Sequence, residues 1–294
     1  MSLPTFDNLT LDPNGPPGNA WGLFGPANND LGMLNLLTPE TVRQAATEEI
    51  RDGVRISLDL PLNRVRHSSF NRKPFVQELI NKAPRFVNDD VLTFNTQTST
   101  QWDGFRHYAW AKKGGITGRG ILLDYAHWAS THSIPLTPFT TSSIPLSHLQ
   151  SLMTEYNIQT RPGDILFIRT GFTAAFNALT PAQEEELGNR PAPSFAGIEN
   201  GEAMLRWLWE NQFAAVASDT PSLEPAPIKH EKGMTLHEWC LAGWGMPIGE
   251  YFDLEELATY CREKGRWGFF LCSVPLKVSS DLLPIYLFGS WWCG

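Results

Sequence analysis

Between Gln97 and His107 the chain reads Gln-Thr-Ser-Thr-Gln-Trp-Asp-Gly-Phe-Arg-His. If this stretch runs as a strand, the period of two puts Gln97, Ser99, Gln101 and Asp103 on one face. Thr96, Thr98, Thr100 and Trp102 fall on the other. Gly104 then allows a bend, and Arg106 and His107 follow. A polar row that ends in a carboxylate and an imidazole has the makings of a site wall, because an imidazole takes and gives protons near neutral pH. The plainer alternative is a half-buried strand with its wet face outward.

The elements around this stretch can be read from pattern. Thr38 is placed to cap a helix with Pro39 in its first turn, carried by Val42, Ala45, Ala46 and Ile50 and stopped at Gly53. Val54–Leu62 alternates apolar and polar and is expected as a half-buried strand. Residues 64–90 show no clear pattern and are expected to form a flap near a pocket mouth. Gly120–Tyr125, Ile165–Arg169 and Phe213–Ser218 are short apolar runs, expected as buried strands, and Phe269–Leu276 as a final one. Helices are expected from Ser147 and over Glu199–Asn211, and Glu184–Glu186 as a solvated helix face. Two capping boxes, Thr235 with Glu238 and Asp253 with Glu256, start two more helices. The first places His237 in a helical first turn, where the positive helix end disfavours a cation and suits a neutral imidazole. Glu250 falls in the loop between those helices. Strands and helices alternate irregularly, which favours a mixed α/β fold in a single domain over 1–294.

Composition narrows the function classes. The chain has 294 residues, 42% hydrophobic, with a net charge of −8 and no basic run, which argues against a nucleic-acid partner. No apolar stretch approaches the ~20 residues of a membrane span, and Met1–Asn19 lacks the order of a signal peptide. That segment, rich in Pro, Asn and Gly, is expected to wrap the surface as an N-terminal arm over 1–20. The four cysteines, Cys240, Cys261, Cys272 and Cys293, form no CxxC; they are expected as reduced thiols of a cytoplasmic protein. No GxGxxG follows a strand, and neither a P-loop nor a GxSxG elbow is present. His67, His127, His132, His148 and His230 match no pattern and are expected as packing or surface groups. Arg119, Asp124 and Asp219 are expected to hold strand ends.

Taken together, GMLNLLTPE (32–40), Gln97–His107, GRGILLD (118–124), GDILFIRTG (163–171), AVASDTPSLE (215–224) and LAGWGMPIGEYFDLEEL (241–257) resemble the cyclase family that includes bacterial kynurenine formamidase and isatin hydrolase. The family signature is His-x-Gly-Thr-His-x-Asp-x-Pro-x-His. Here Thr100, Asp103 and His107 match it, while Gln97 and Gln101 stand at the two leading histidines, Ser99 at the glycine and Phe105 at the proline. The resemblance implies a kynurenine formamidase-like fold of the swivelling β/β/α kind: a mixed β-sheet bent toward a barrel, with outer helices. It implies homodimers or homotetramers. The tail departs from the family over 279–294 (SSDLLPIYLFGSWWCG).

The resemblance further implies a divalent metal on Asp103, His237 and Glu250, with His107 as general acid/base. An amide oxygen is a weaker zinc ligand than imidazole, so a site using Gln97, Gln101 and Asp103 would suit Mn²⁺ or Mg²⁺ better than zinc. Asp103, His237 and Glu250 would make a three-ligand site with open positions, for one ion of Mn or Zn. The leading expectation is a metal-dependent hydrolase of a small cyclic amide, lactone or N-formyl aromatic, with Trp102, Phe105 and Phe70 stacking on the substrate. An alternative is a metal-independent cyclase or lyase, with Gln97 and Gln101 donating to a substrate oxygen and no cofactor. A further one is a non-catalytic small-molecule-binding protein on the same scaffold.

Overall fold

The computed structural model describes residues 3–104, 110, 112–229 and 235–275. Ten strands appear among them: β1 Val76–Asn81, β2 Asn88–Thr93, β3 Gln101–Asp103, β4 Ile116–Leu123, β5 Ser143–Ile144, β6 Ile165–Ile168, β7 Gly197–Ile198, β8 Ala215–Ser218, β9 Ile248–Glu250 and β10 Gly268–Ser273. Six form one mixed sheet in the order β10-β4-β6-β8-β9-β3. Its four inner strands run parallel, and β10 and β3 close the two ends antiparallel. β1 and β2 pair as a separate hairpin, and β5 and β7 as a short parallel ladder.

β6 and β8, at the centre, are buried along their length, so ILFI and AVAS need no polar alternation. The helix Pro39–Glu49 lies against β4 and β10. Its Thr38 side chain accepts from the Thr41 amide, as the sequence predicts. The helix Glu202–Glu210 buries Met204, Leu205, Trp207, Leu208 and Trp209. The mixed α/β class holds, with a mixed sheet and helices packed on it.

Several local expectations fail, each for a physical reason. Val54–Leu62 forms no strand; it touches the sheet region through one bridge, Asp59 to Phe252, and through the Asp253 amide donating to the Leu58 carbonyl. Its alternation survives only as Leu60 buried, with Ile56 and Leu58 half-buried. Residues 64–90, which show no pattern in the sequence, contain β1 and the start of β2. Their strands are exposed on both faces, so no apolar face announces them. Glu184 is not on a solvated face: it is buried, 3.1 Å from Arg64 Nη1, and accepts the Arg66 amide. Glu250 is the last residue of β9 and not part of a loop.

The described part of the N-terminal arm packs on the 238–244 segment. Phe6 stacks on Trp239 at 5.4 Å, and Trp244 Nε1 donates to the Gly18 carbonyl. Asp124 and Asp219 hold strand ends as expected, whereas Arg119 lies inside β4. Asp124 caps the helix after β4 and pairs with Arg169; Asp219 accepts the Thr170 and Gly171 amides; Arg119 pairs with Glu49 and Asp164. Cys240, Cys261 and Cys272 are free thiols. Among the described residues no helix is long and apolar enough to cross a membrane. The atypical tail lies outside the described residues.

Candidate active site

The polar row does not run as one strand. Asn95 accepts the Gln97 amide and caps a single 3-10 turn over Thr96–Thr98, and β3 begins only at Gln101. Ser99 is buried and donates to the Leu60 carbonyl, so it leaves the row. Gln97, Gln101 and Asp103 still converge. Gln97 Nε2 donates to Asp103 Oδ1, and Gln101 Nε2 donates to Gln97 Oε1 at 3.2 Å.

Antiparallel register brings in the second carboxylate. Gln101 lies opposite Glu250 and Asp103 opposite Ile248. Gln101, Asp103 and Glu250 therefore share one face of the sheet edge, and Gln101 Nε2 donates to Glu250 Oε2 at 2.8 Å. The same alternation turns Trp102 the other way. Its ring is buried against Phe167 and Phe252, and its Nε1 donates to Ser273 Oγ. Trp102 thus belongs to the core, and the expectation that it stacks on a substrate is corrected. Phe70 lies on the segment before β1, 45% exposed and 6.3 Å from Phe195. Phe105 and His107 lie outside the described residues.

His237 closes the cluster. It is the residue before a π-helical segment, Glu238–Trp244, a form that recurs at functional sites. Thr235 Oγ1 accepts the Glu238 amide, half of the expected capping box. His237 Nε2 is 3.3 Å from Glu250 Oε1, and Nδ1 is 3.2 Å from Glu224 Oε1. The other oxygen of Glu224 accepts the His237 amide. Both atoms of that Nδ1 contact are buried without hydrogen-bond geometry, so Glu224 acts on the ring by its charge at the far nitrogen and by holding the His237 amide. Sequence reasoning assigned Glu224 no role. Its only signal was an acid in a stretch of prolines and apolar residues, and it is fully buried.

The electrostatics call for positive charge. Burial, with Asp103 nearby, pushes Glu250 up to about 7 against the pull of His237 and Arg72. Burial alone would lower the His237 pKa; Glu224 and Glu250 outweigh it and hold the imidazole well above its ordinary value. One donor atom each from Asp103, His237 and Glu250 lie within 4.8 Å of one another. Gln101 Oε1 is buried without a hydrogen-bond partner. One imidazole, two carboxylates and an orphaned amide oxygen fit a borderline or hard divalent cation. Gln97 and Gln101 spend their amide nitrogens on Asp103, Glu250 and Gln97 Oε1, which leaves the Gln101 amide oxygen available to a cation.

A family model described as "Putative cyclase" matches residues 35–225. No curated protein matches the sequence. The fold resembles the crystal structure of a novel cyclase with a TM-score of 0.73 and 27% identity, covering 88% of this chain and 95% of that one. It resembles isatin hydrolase A from Ralstonia solanacearum with a TM-score of 0.58 and 13% identity, over 82% and 92% of the two chains. Isatin hydrolase A from Labrenzia aggregata, solved with benzyl benzoate, gives 0.58 and 15%, over 84% and 93%.

Proposed function

The chain belongs to the cyclase family, and on that premise we propose that it is a hydrolase of a small cyclic amide, lactone or N-formyl aromatic. The observation that carries this is the convergence of Asp103, His237 and Glu250 within 4.8 Å, with Glu224 behind His237. That the fold is shared with isatin hydrolases supports a carbonyl-bearing substrate. Asp103, His237 and Glu250 would hold one divalent ion, Mn or Zn. When bound, such an ion supplies Lewis acidity toward a carbonyl and toward water.

The chain's own residues do the rest. Glu224 places its charge 3.2 Å from His237 Nδ1, while Nε2 faces Glu250 at 3.3 Å. Gln97 and Gln101 fix the Asp103 and Glu250 carboxylates through amide N–H donors. His107 is the proton donor and acceptor by the family pattern, a role worth ~10²–10⁴-fold in rate. The metal-independent alternative needs Gln97 and Gln101 to donate to substrate. Both N–H groups of Gln101 have protein acceptors, Gln97 Oε1 and Glu250 Oε2, which favours the metal-dependent reading.

The test is turnover of lactones, cyclic amides and formamides by the metal-loaded protein, by Asp103→Ala and by His107→Ala. Hydrolysis lost in Asp103→Ala and lowered ~10²-fold or more in His107→Ala is expected. Chelator-resistant turnover would favour the metal-independent alternative, and ligand binding without turnover the non-catalytic one.

A further inference from the structure

Arg72 stands out among the arginines. Every other half-buried arginine of the described residues has a carboxylate partner, as in Arg64 with Glu184 at 3.1 Å, Arg119 with Asp164 at 2.9 Å and Arg169 with Glu255 at 2.7 Å. Arg72 is half-buried and forms no ion pair among the described residues. Its guanidinium lies 4.9 Å over the Phe70 ring and gives one N–H to the Gln97 carbonyl at 2.5 Å. Gln97 is the residue whose side chain holds Asp103. Arg72 therefore sits at the rim of the cluster.

The backbone that delivers it is wound tightly. Phe70 and Asn71 both have positive φ, 63° and 54°, and so does Tyr251, at 56°, directly after Glu250. Such values are uncommon for bulky side chains and cluster at ligand-handling sites. Phe70 leans on Phe195, which meets Phe172 edge-on, which in turn meets Tyr251 edge-on. A run of buried rings thus connects the exposed Phe70 to the residue after Glu250.

We propose that Arg72 is a specificity-determining residue that pairs with an anionic oxygen, a carboxylate, of a small aromatic ligand lying along Phe70. The inference rests on the hydrolase reading for its chemistry. Opening a cyclic amide or lactone adds a water oxygen to the carbonyl carbon and breaks the ring C–N or C–O bond. One proton goes to the released nitrogen or oxygen, the acid proton goes to solvent, and a carboxylate remains. A fork of guanidinium N–H donors matches that group, and the carboxylate that Arg72 lacks comes from the ligand.

The experiment uses benzoate and its neutral counterpart benzamide as probes, titrated calorimetrically into the full chain and into Arg72→Met and Arg72→Lys. The unaltered protein binds benzoate at least about tenfold tighter than benzamide, equivalent to ~1.4 kcal/mol. Arg72→Met abolishes that preference and leaves benzamide binding in place, while Arg72→Lys keeps part of it. A preference that survives in Arg72→Met, or no benzoate preference in the unaltered protein, overturns the proposal. If Arg72→Met binds neither probe, Arg72→Lys decides: a retained preference upholds the proposal and a lost one overturns it. Turnover assays run in parallel separate the two claims. Hydrolysis without benzoate preference sinks this inference alone, whereas an Arg72-dependent preference without hydrolysis sinks the hydrolase reading alone.

Discussion

Glu224 and Glu250 set the state of His237, and the titration of this group of residues has a definite sign. Without a metal, Glu250 sits at about 7, above its ordinary 4.5, and His237 is also raised. A raised pKa means the folded chain prefers the protonated form. That contribution is complete below the ordinary pKa and is lost as pH rises through the folded one. The metal-free protein should lose the Glu250 contribution from about pH 4.5 through about 7, and that of His237 as pH rises above its ordinary 6.5. A divalent ion needs the deprotonated ligands, so it gains from the same rise. Its affinity should be about tenfold weaker at pH 6 than at pH 8 from Glu250 alone. The melting-temperature increase on adding Mn²⁺ or Zn²⁺ should be larger at pH 8; equal increases at both pH values would contradict this. Glu224→Gln should weaken metal binding about 10–100-fold, measured by chelator competition, with little change in the fold. At this scale the sequence pointed to Asp103, His237 and Glu250 through the family pattern. Alternation already sets Trp102 on the face opposite Asp103, and the structure buries that face against Phe167 and Phe252, so the stacking role given to it by resemblance does not hold. Arg72 and Glu224 were silent because an unpaired cation and a buried acid are defined by their surroundings.

The elements carry these groups to one another through close backbone contacts. Gly32 and Gly245 meet so tightly that a Cβ on Gly32 would lie 2.2 Å from the Gly245 carbonyl oxygen. Gly32 also has φ of 53°, and Gly245, at φ 62°, ends the π-helical segment that follows His237. Gly32→Ala should destabilise by roughly 1–3 kcal/mol in denaturant unfolding, and it should lower metal occupancy because the displaced segment carries a ligand. Full occupancy with the same loss of stability would detach the 29–36 turns from the site. The Thr38-capped helix and the buried strands were legible because their signals are local. The Asp253–Glu256 box, by contrast, does not form: the helix Glu255–Lys264 starts after Leu254, and Asp253 Oδ1 accepts the Glu255 amide instead. The Val54–Leu62 pattern misled because alternation marks which side chains point inward, and a chain can do that without a ladder partner. The β1–β2 hairpin was missed for the converse reason: its pairing is real, yet both faces are exposed.

At the scale of the whole molecule, the site sits at one edge of a sheet whose centre is apolar on both faces. Phe167, fully buried on β6, touches Trp102, Phe252 and Phe269, and so links the core to the strand carrying Asp103. Phe167→Ala should cost about 3–5 kcal/mol of stability, read from denaturant midpoints, whereas the site substitution Asp103→Asn should cost far less. The mixed α/β class was visible in the chain because parallel inner strands write themselves as apolar runs. The site was visible only in part, since its members come from β3, β9 and the start of a helix, far apart in sequence and joined by register. The most direct measurement is elemental analysis of the purified protein and of Asp103→Ala. The account predicts about one Mn or Zn per chain that disappears in the variant. No metal in either protein, even after soaking with Mn²⁺ or Zn²⁺, would contradict it.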